Sequence, residues 1–137
     1  MFRLVHLLRR RAGLSMAGFA QAWRDEHGPL VAAHQRTLGI VRHVQTLRDV
    51  RSEEGDRQVA QLRGGMEPPY DGVSETWWPS EAALAAALAT AHGREAMAAI
   101  VAAEAGFVEG AVSPLWFAHE YPQTSIQRER MVARPGS

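Results

Sequence analysis

The first strand-like segment, residues 2–9, most restricts the folds that this chain can adopt. Its side chains divide into two alternating sets, Phe2, Leu4, His6 and Leu8 on one side and Arg3, Val5, Leu7 and Arg9 on the other. Both sets are largely apolar, so a strand here must be covered on both faces. His6 shares its side with Leu4 and Leu8, and we expect helices to cover that side.

The elements that follow predict a particular sheet. A helix over residues 16–37 and strands over 40–47 and 73–78 precede an interrupted helix over 80–108 and a last strand over 115–121. This order is that of the ferredoxin-like βαββαβ fold of the α+β class, a four-stranded antiparallel sheet with helices on one face. Because the strands are apolar on both sides, we expect a second copy of the chain to cover the bare face, giving a homodimer.

Length and composition predict one domain with a long loop and a tail. The chain has 137 residues, and we assign residues 1–121 to the domain. Residues 48–71 are rich in charge, glycine and proline and are expected to form a long loop, with one short helix near 57–63. The polar residues 122–137 are expected to form an arm that contacts a partner, or a disordered tail.

The composition excludes several classes of chemistry. The chain has no cysteine, and all 15 of its basic residues are arginine. Disulfides, thiolate metal sites, Schiff-base lysines and phosphate-binding loops with a lysine are therefore excluded. The formal net charge of 0 gives no reason to expect nucleic acid or a membrane as partner. The N-terminus lacks the pattern of a secretory signal and no apolar run reaches the length of a membrane span, so we expect a cytoplasmic protein.

An apolar helical stripe over residues 16–34 carries two histidines. At about 100° per residue, six side chains share an arc of roughly 80°; they are Met16, Phe19, Trp23, His27, Leu30 and His34. A titratable ring on a buried stripe needs hydrogen-bond partners or a cavity. Each histidine could be a core-edge side chain bonded to backbone carbonyls, but two of them beside Trp23 favour a pocket.

The Gly28-Pro29 step interrupts this helix. Pro29 cannot donate to the carbonyl of Asp25, so we expect the helix to kink or to restart with Pro29 in its first turn. A break would rotate His34 away from His27, which makes His27 the better candidate for the pocket.

Four further features have alternative interpretations. His43 is expected to be structural or interfacial, and His92 is either an exposed loop residue or one that projects over a pocket. The three arginines at positions 9–11 form a solvated strand end or an anion clamp at a pocket mouth. Glu75 lies between apolar residues of a strand and is expected to form an ion pair with an arginine, rather than to cap a backbone group or to face a polar barrel interior.

Three motifs resemble one known family. They are Trp23-x-x-x-His27-x-Pro29-Leu30, Pro69-Tyr70-Asp71-Gly72-Val73-x-Glu75-x-Trp77-Trp78 and Ser113-Pro114-Leu115-Trp116. In this order and spacing the chain resembles the EthD family of the dimeric α+β barrel superfamily, over residues 2–121. The motifs are fairly specific indicators of the family and its fold, but they are weak evidence for any particular reaction.

The resemblance implies a dimer built from two sheets, with a pocket in each protomer between its helices and its own sheet. The EthD family is named for its association with degradation of an ether fuel additive. Similar proteins of the superfamily include polyketide cyclases, decarboxylases or dehydratases, muconolactone isomerases and cofactor-free monooxygenases, and more distant ones bind haem. The motif histidine corresponds to His27 and its aromatic neighbour to Trp23, whereas relatives often carry an aromatic residue where this chain has His43.

These reactions share enol, enolate or phenolate intermediates, which need a base near neutral pH and hydrogen-bond donors but no metal. We therefore predict a cofactor-independent lyase, cyclase or isomerase that acts on an aromatic, polyketide-like or keto-acid substrate. His27 is its general acid and base, with His34 or His6 as second proton carrier or as hydrogen-bond donor to the oxyanion. The predicted substrate-binding residues are Trp23, Phe19, Trp78, Trp116, Thr76 and His92.

Other hypotheses remain open. The chain could be a cofactor-free monooxygenase, or a non-catalytic barrel that binds a small ligand or stabilises an assembly. His6, His27 and His34 could instead form a metal site, although no His-Glu-x-x-His spacing accompanies them. Haem binding needs only one axial histidine.

Overall fold

The computed structural model describes residues 1–126 and contains one four-stranded sheet. Its strands are β1 (Phe2–Leu8), β2 (Arg42–Leu47), β3 (Gly72–Trp78) and β4 (Leu115–Ala118). The order across the sheet is β2-β3-β1-β4 and every neighbouring pair is antiparallel. The predicted ferredoxin-like arrangement is confirmed. Of the predicted tail, residues 127–137 lie outside the described residues.

The helices are shorter and more numerous than predicted. They are α1 (Met16–Ala20), α2 (Gly28–Ala33), α3 (Gln35–Leu38), α4 (Glu53–Gln61), α5 (Glu81–Leu88) and α6 (Ala91–Glu104), with a π-helical segment (Gln21–His27) joining α1 to α2. The helix restarts at Gly28 with Pro29 in its first turn, as the sequence indicates. Two short 3₁₀ turns complete the helical elements. Within residues 1–126, no helix is both long enough and apolar enough to cross a membrane.

The connection between β2 and β3 contains the predicted helix, displaced toward the N-terminus. A 3₁₀ turn (Val50–Ser52) leads into α4, which begins at Glu53 rather than near residue 57. Three acidic residues, Glu53, Glu54 and Asp56, occupy its first turn. Negative charge there interacts favourably with the partial positive charge of a helix N-terminus, which explains the earlier start.

The register of the sheet assigns each side chain to a face. Leu4 is opposite Thr76 and His6 is opposite Ser74, so these four residues share one face. Leu4 packs against an apolar cluster formed with α2, α3, α5 and α6. The helices therefore cover the face to which His6 belongs, as predicted.

Two apolar clusters fill the space between sheet and helices. The first contains Val31, Leu38, Ile40, Trp78, Leu84, Ala96 and Ile100, and the second Leu8, Phe19, Trp23, Phe107 and Val108. Along β1, Leu4 contacts the first cluster and Leu8 belongs to the second. His6 stands between them, so the core is polar at the point where its two halves meet.

The helices described above pack on the face that carries His6, and within residues 1–126 none of them covers the other face of the sheet. Arg3 Nη1 lies 2.8 Å from Glu75 Oε2, which confirms the expected ion pair. Trp77 is buried on this face beneath two guanidinium groups, with the Arg3 and Arg42 carbons 5.7 and 4.9 Å from its ring centroid. Trp116 is opposite Val5 and remains 45% exposed.

Candidate functional site

The π-helical segment positions the first candidate residues. Ser15 caps α1 by accepting from the backbone N–H of Gly18 at 3.0 Å, and the helix then widens over Gln21–His27. The carbonyl of Trp23 accepts from the backbone N–H of Gly28, five residues on, and also from Gln45 Nε2 at 2.8 Å. Such wide turns are frequent at functional sites. Here the widening coincides with the segment that carries both Trp23 and His27.

The hydrogen bond of His27 fixes the form of its ring. Its Nε2 lies 3.0 Å from the carbonyl oxygen of Ile100, and since a carbonyl can only accept, Nε2 must donate its proton. In the neutral ring, Nδ1 therefore carries a lone pair. The residue is 7% exposed, and Nδ1 has no hydrogen-bond partner among residues 1–126. His27 thus presents a buried, unpaired basic nitrogen.

His6 is held in the same way from the sheet. Its Nε2 donates to the carbonyl of Ser113 at 3.0 Å, which leaves a lone pair on Nδ1 of the neutral ring. Burial lowers the pKa of His6, and the neighbouring His27 lowers it further, although the bond to Ser113 acts in the opposite direction. His6 is therefore a neutral imidazole at neutral pH.

A small cavity joins the two histidines. Its volume is about 10 Å³, the space of about one water molecule. The lining residues are His6, Leu8, Trp23, His27, Ser74, Glu104, Phe107 and Val108. We call this space the histidine cavity. It brings together three predicted site residues, His6 of β1 and Trp23 and His27 of the π-helical segment.

Glu104 is a member of this site that the sequence analysis missed. It is the last residue of α6, and burial raises the pKa of its carboxyl group to about 7. The missed signal is its position on the inward stripe of α6, where Ala96 and Ile100, eight and four residues earlier, are both buried. A charged residue on a buried stripe is the same anomaly that drew attention to His27.

Two open clefts border the histidine cavity. One, of about 350 Å³, shares His27 and Phe107 with it and is also lined by Ala22, Glu26, Leu30, Ala103 and Gly106. The other, of about 390 Å³, shares His6, Glu104 and Val108 with it and also contacts Arg11, Val101, Ala105, Glu109 and Gly110. Small-ligand sites usually measure about 300–1,000 Å³. Either cleft can admit a small molecule to the edge of the cavity.

His43 lies on the helix side of the sheet, not on the bare face. Its Nδ1 is 3.0 Å from Thr76 Oγ1, and Nε2 is buried with no partner among the described residues. Burial lowers the pKa of His43, and the neighbouring His27 lowers it further. The ring lines a third cleft, of about 560 Å³, between α2, α3 and β2. Thr76 thus contacts His43 rather than the histidine cavity.

Three of the aromatic residues predicted to bind substrate do not line the histidine cavity. Phe19 and Trp78 are 0% and 1% exposed in the two apolar clusters, and Trp78 Nε1 donates to the Leu38 carbonyl at 2.8 Å. Trp116 belongs to the bare face of the sheet. The aromatic residues that line the histidine cavity are Trp23, which is among the predicted substrate-binding residues, and Phe107, which is not.

Two predicted histidines also lie elsewhere. His34 follows the end of α2, half-buried, and lines none of the clefts described above, whereas His27 lines the histidine cavity. The side chain of His92 is 91% exposed, with Nδ1 3.9 Å from Glu95 Oε2. Of the two alternatives for His92, an exposed residue or one that projects over a pocket, the structure shows the exposed residue.

The proposed three-imidazole metal site is not formed. His34 is apart from His6 and His27, and within the part of the chain that the structure describes, no group of three or more His, Cys, Asp or Glu residues could hold a metal ion. The donor set that such a site requires is missing.

The second sequence motif has a structural role. Buried Asp71 accepts from the backbone N–H of Arg10 at 2.8 Å and lies 3.5 Å from Arg48 Nη2. The Arg9 guanidinium stacks over the ring of Tyr70 at 4.0 Å. The motif therefore fastens the end of β1 to the start of β3. Of the three consecutive arginines, the one at position 11 reaches the cleft beside Glu104.

Comparisons with known proteins identify relatives of this chain. A family model described as EthD domain matches residues 11–111. No curated protein matches the chain. Among solved structures, an ethyl tert-butyl ether d (EthD) family protein from Bacillus halodurans is 17% identical with a TM-score of 0.58, over 88% of this chain and 99% of that one. HapK from Hahella chejuensis is 16% identical with a TM-score of 0.57, over 93% and 99%. At these identities the two structures show a shared fold.

Proposed function

Because this chain belongs to the EthD domain family, we propose that it is a cofactor-independent enzyme of small-molecule metabolism in which His27 removes a proton from an enolisable substrate. The observation that carries the proposal is the state of the His27 ring. Its Nε2 is fixed as a donor to Ile100, and its buried Nδ1 lone pair has no partner among residues 1–126. A fixed tautomer with an unused basic nitrogen is the arrangement that general-base catalysis requires.

The proposed step transfers one proton. Nδ1 of neutral His27 accepts a proton from the carbon next to a carbonyl group, and the electron pair of the C–H bond moves onto the carbonyl oxygen as an enolate. The Ser74 hydroxyl, which lines the same cavity, is a candidate donor to that oxygen. Decarboxylation, dehydration, cyclisation, isomerisation and oxygenation can all start from this intermediate, so we propose the shared first step within a lyase, cyclase or isomerase reaction.

A substrate would reach Nδ1 through the cleft that His27 and Phe107 share with the histidine cavity. The cleft measures about 350 Å³, enough for a small ring. The cavity itself holds about one water molecule, so binding requires side chains at their common wall to move. Phe107, whose ring centroid is 5.2 Å from that of His27, is the side chain at this wall.

The test measures hydrogen exchange. Full-length protein is incubated in D2O with a panel of 1,3-diketones and aryl β-keto acids, and C–H loss is followed by proton NMR. We expect the protein to accelerate exchange on at least one probe and His27→Gln to slow it at least 100-fold, as roughly expected for loss of a general base. The glutamine amide can still donate to Ile100 but offers no nitrogen base in place of Nδ1.

His92→Gln is the matched control, since His92 is exposed and outside the cavity. It should leave the exchange rate unchanged. Circular dichroism and size-exclusion chromatography establish that both variants fold. If His27→Gln folds and exchanges as fast as the unsubstituted protein, the proposed role of His27 is wrong.

A second candidate function is a non-catalytic barrel that binds a small ligand. It is favoured by the fact that His6 and His27 both donate to backbone carbonyls across a cavity of about 10 Å³, as structural histidines do. On this reading no probe exchanges faster with protein than without it. His27→Gln then behaves like the unsubstituted protein, and His27→Ala loses stability because the Ile100 carbonyl loses its donor.

A further inference from the structure

The position of Glu104 points to a role in moving protons. We infer that Glu104 is a proton-relay residue, which carries protons between the histidine cavity and the solvent-open cleft beside Arg11. For its place in a reaction the inference rests on the proposed function of His27. The relay itself can be measured without any substrate.

The geometry places Glu104 at a boundary. Together with His6 it lines both the histidine cavity and the open cleft of about 390 Å³. His27 lines the cavity and not this cleft. Glu104 and His6 therefore form part of the wall between the histidine cavity and this cleft. A proton that moves from His27 to the cleft must pass this wall.

Glu104 is also free to change its protonation state. Among residues 1–126 it forms no ion pair that would hold it as a carboxylate. The cation in the same cleft, Arg11, donates instead to the backbone carbonyl of Ala105 at 3.4 Å. Burial disfavours the charged form of a carboxyl group, and no cation of the described residues pairs with Glu104 to oppose that effect.

The proposed relay conserves protons at each step. After His27 has accepted the substrate proton, the imidazolium transfers one proton to the Glu104 carboxylate, which leaves a neutral imidazole and a carboxylic acid. Glu104 then releases that proton to water in the open cleft. In reverse, the acid can return a proton to a product. No electrons are transferred and no cofactor is needed.

The ionisation of the neighbouring groups supports this direction of transfer. Burial raises the pKa of Glu104 to about 7, so it can both accept and release protons near neutral pH. Burial lowers the pKa of His6, so His6 stays neutral and does not trap the proton. The titratable and charged groups that line the two spaces with Glu104 are His6, His27, Arg11 and Glu109.

The first test is the pH profile of the exchange reaction. We expect the profile to contain an inflection near pH 7 to which the ionisation of Glu104 contributes, and we expect Glu104→Gln to shift this inflection and lower the plateau rate at least tenfold. Glu109→Gln is the matched control, because Glu109 lines the open cleft but not the histidine cavity. It should keep the original profile. A Glu104→Gln profile that equals the original one would overturn the inference.

The second test is an NMR titration, which requires neither a substrate nor an active variant. The Glu104 carboxyl carbon and the histidine rings are followed by NMR in full-length labelled protein from pH 4 to 9. We expect Glu104 to titrate with a midpoint near 7 and the ring signals of His6 or His27 to shift with the same midpoint. A midpoint near that of an ordinary glutamate, or no response of either ring, would overturn the relay even where exchange is found.

The two tests separate the relay from the proposed function. If no probe exchanges but Glu104 and the rings titrate together, the proposed catalysis fails and the relay is supported. If His27→Gln slows exchange while Glu104 titrates alone, the catalysis is supported and the relay fails.

Discussion

At the scale of single residues, Gly72 controls how closely β3 can approach the ring of Trp23. A Cβ atom at Gly72 would lie 2.5 and 2.6 Å from the Cζ3 and Cη2 atoms of Trp23, and 3.3 Å from the carbonyl oxygen of Thr46. Trp23 is buried in the second apolar cluster and cannot withdraw without opening it. We therefore expect Gly72→Ala to destabilise the protein by roughly 1–3 kcal/mol, as measured by urea denaturation.

Gly55 provides the control for this prediction. It lies within α4, where a Cβ atom would meet nothing within 4 Å. Gly55→Ala should stabilise the protein by about 0.5–1 kcal/mol, because alanine has the higher helix propensity. If both substitutions changed the free energy of unfolding by the same amount and in the same direction, contact with Trp23 would not be the reason for glycine at position 72.

The sequence located part of the site because a polar residue on an apolar stripe is an identifiable anomaly. His27 stands out in this way, and the alternation of β1 indicates that His6 points inward. Glu104 is the same kind of anomaly on α6. The sequence could not predict which aromatic residue lines the cavity. Phe19, Trp23 and Trp78 are all buried, and only the packing of distant segments decides which ring borders the cavity.

At the scale of secondary structure elements, the division of the first long helix depends on a contact from the sheet. Pro29 in the sequence shows that a break must occur, since proline has no N–H to donate. The form of the break is set by Gln45 of β2, whose amide donates to the Trp23 carbonyl at 2.8 Å. Because this partner comes from another element, the sequence predicted the interruption but not the π-helical turn.

Gln45→Met tests this contact, since methionine has a similar length but no donor. We expect a loss of about 1 kcal/mol in the free energy of unfolding, the usual value of one hydrogen bond. We also expect the NMR signals of the His27 ring to shift, because His27 ends the same π-helical segment. Gln35→Met is the control, as Gln35 lines the same cleft as Gln45 but forms no side-chain hydrogen bond to the residues described here. Equal effects of the two substitutions would refute the role of Gln45.

At the scale of the whole molecule, the bare sheet face is the feature that the single chain leaves unexplained. The sequence predicted this face from the two-sided apolar pattern of β1, and the register confirms that Val5 and Leu7 lie on it with Val73 and Trp116. A patch of this kind needs a cover, and the sequence cannot say which surface provides it, because a partner acts between chains. We propose that the cover is the same face of a second copy.

Trp116→Glu tests the dimer, because Trp116 is 45% exposed on this face and a carboxylate there would have to be desolvated on association. We expect the unsubstituted protein to sediment as a dimer of 15.1 kDa chains and the variant to sediment as a monomer at micromolar concentration. Val101→Glu, on the helix side and 55% exposed, should stay dimeric. A monomeric unsubstituted protein, or a dimeric Trp116→Glu variant, would show that the sheet face does not hold two copies together. The histidine cavity lies on the helix side of the sheet, so a folded monomeric variant should retain hydrogen exchange at His27.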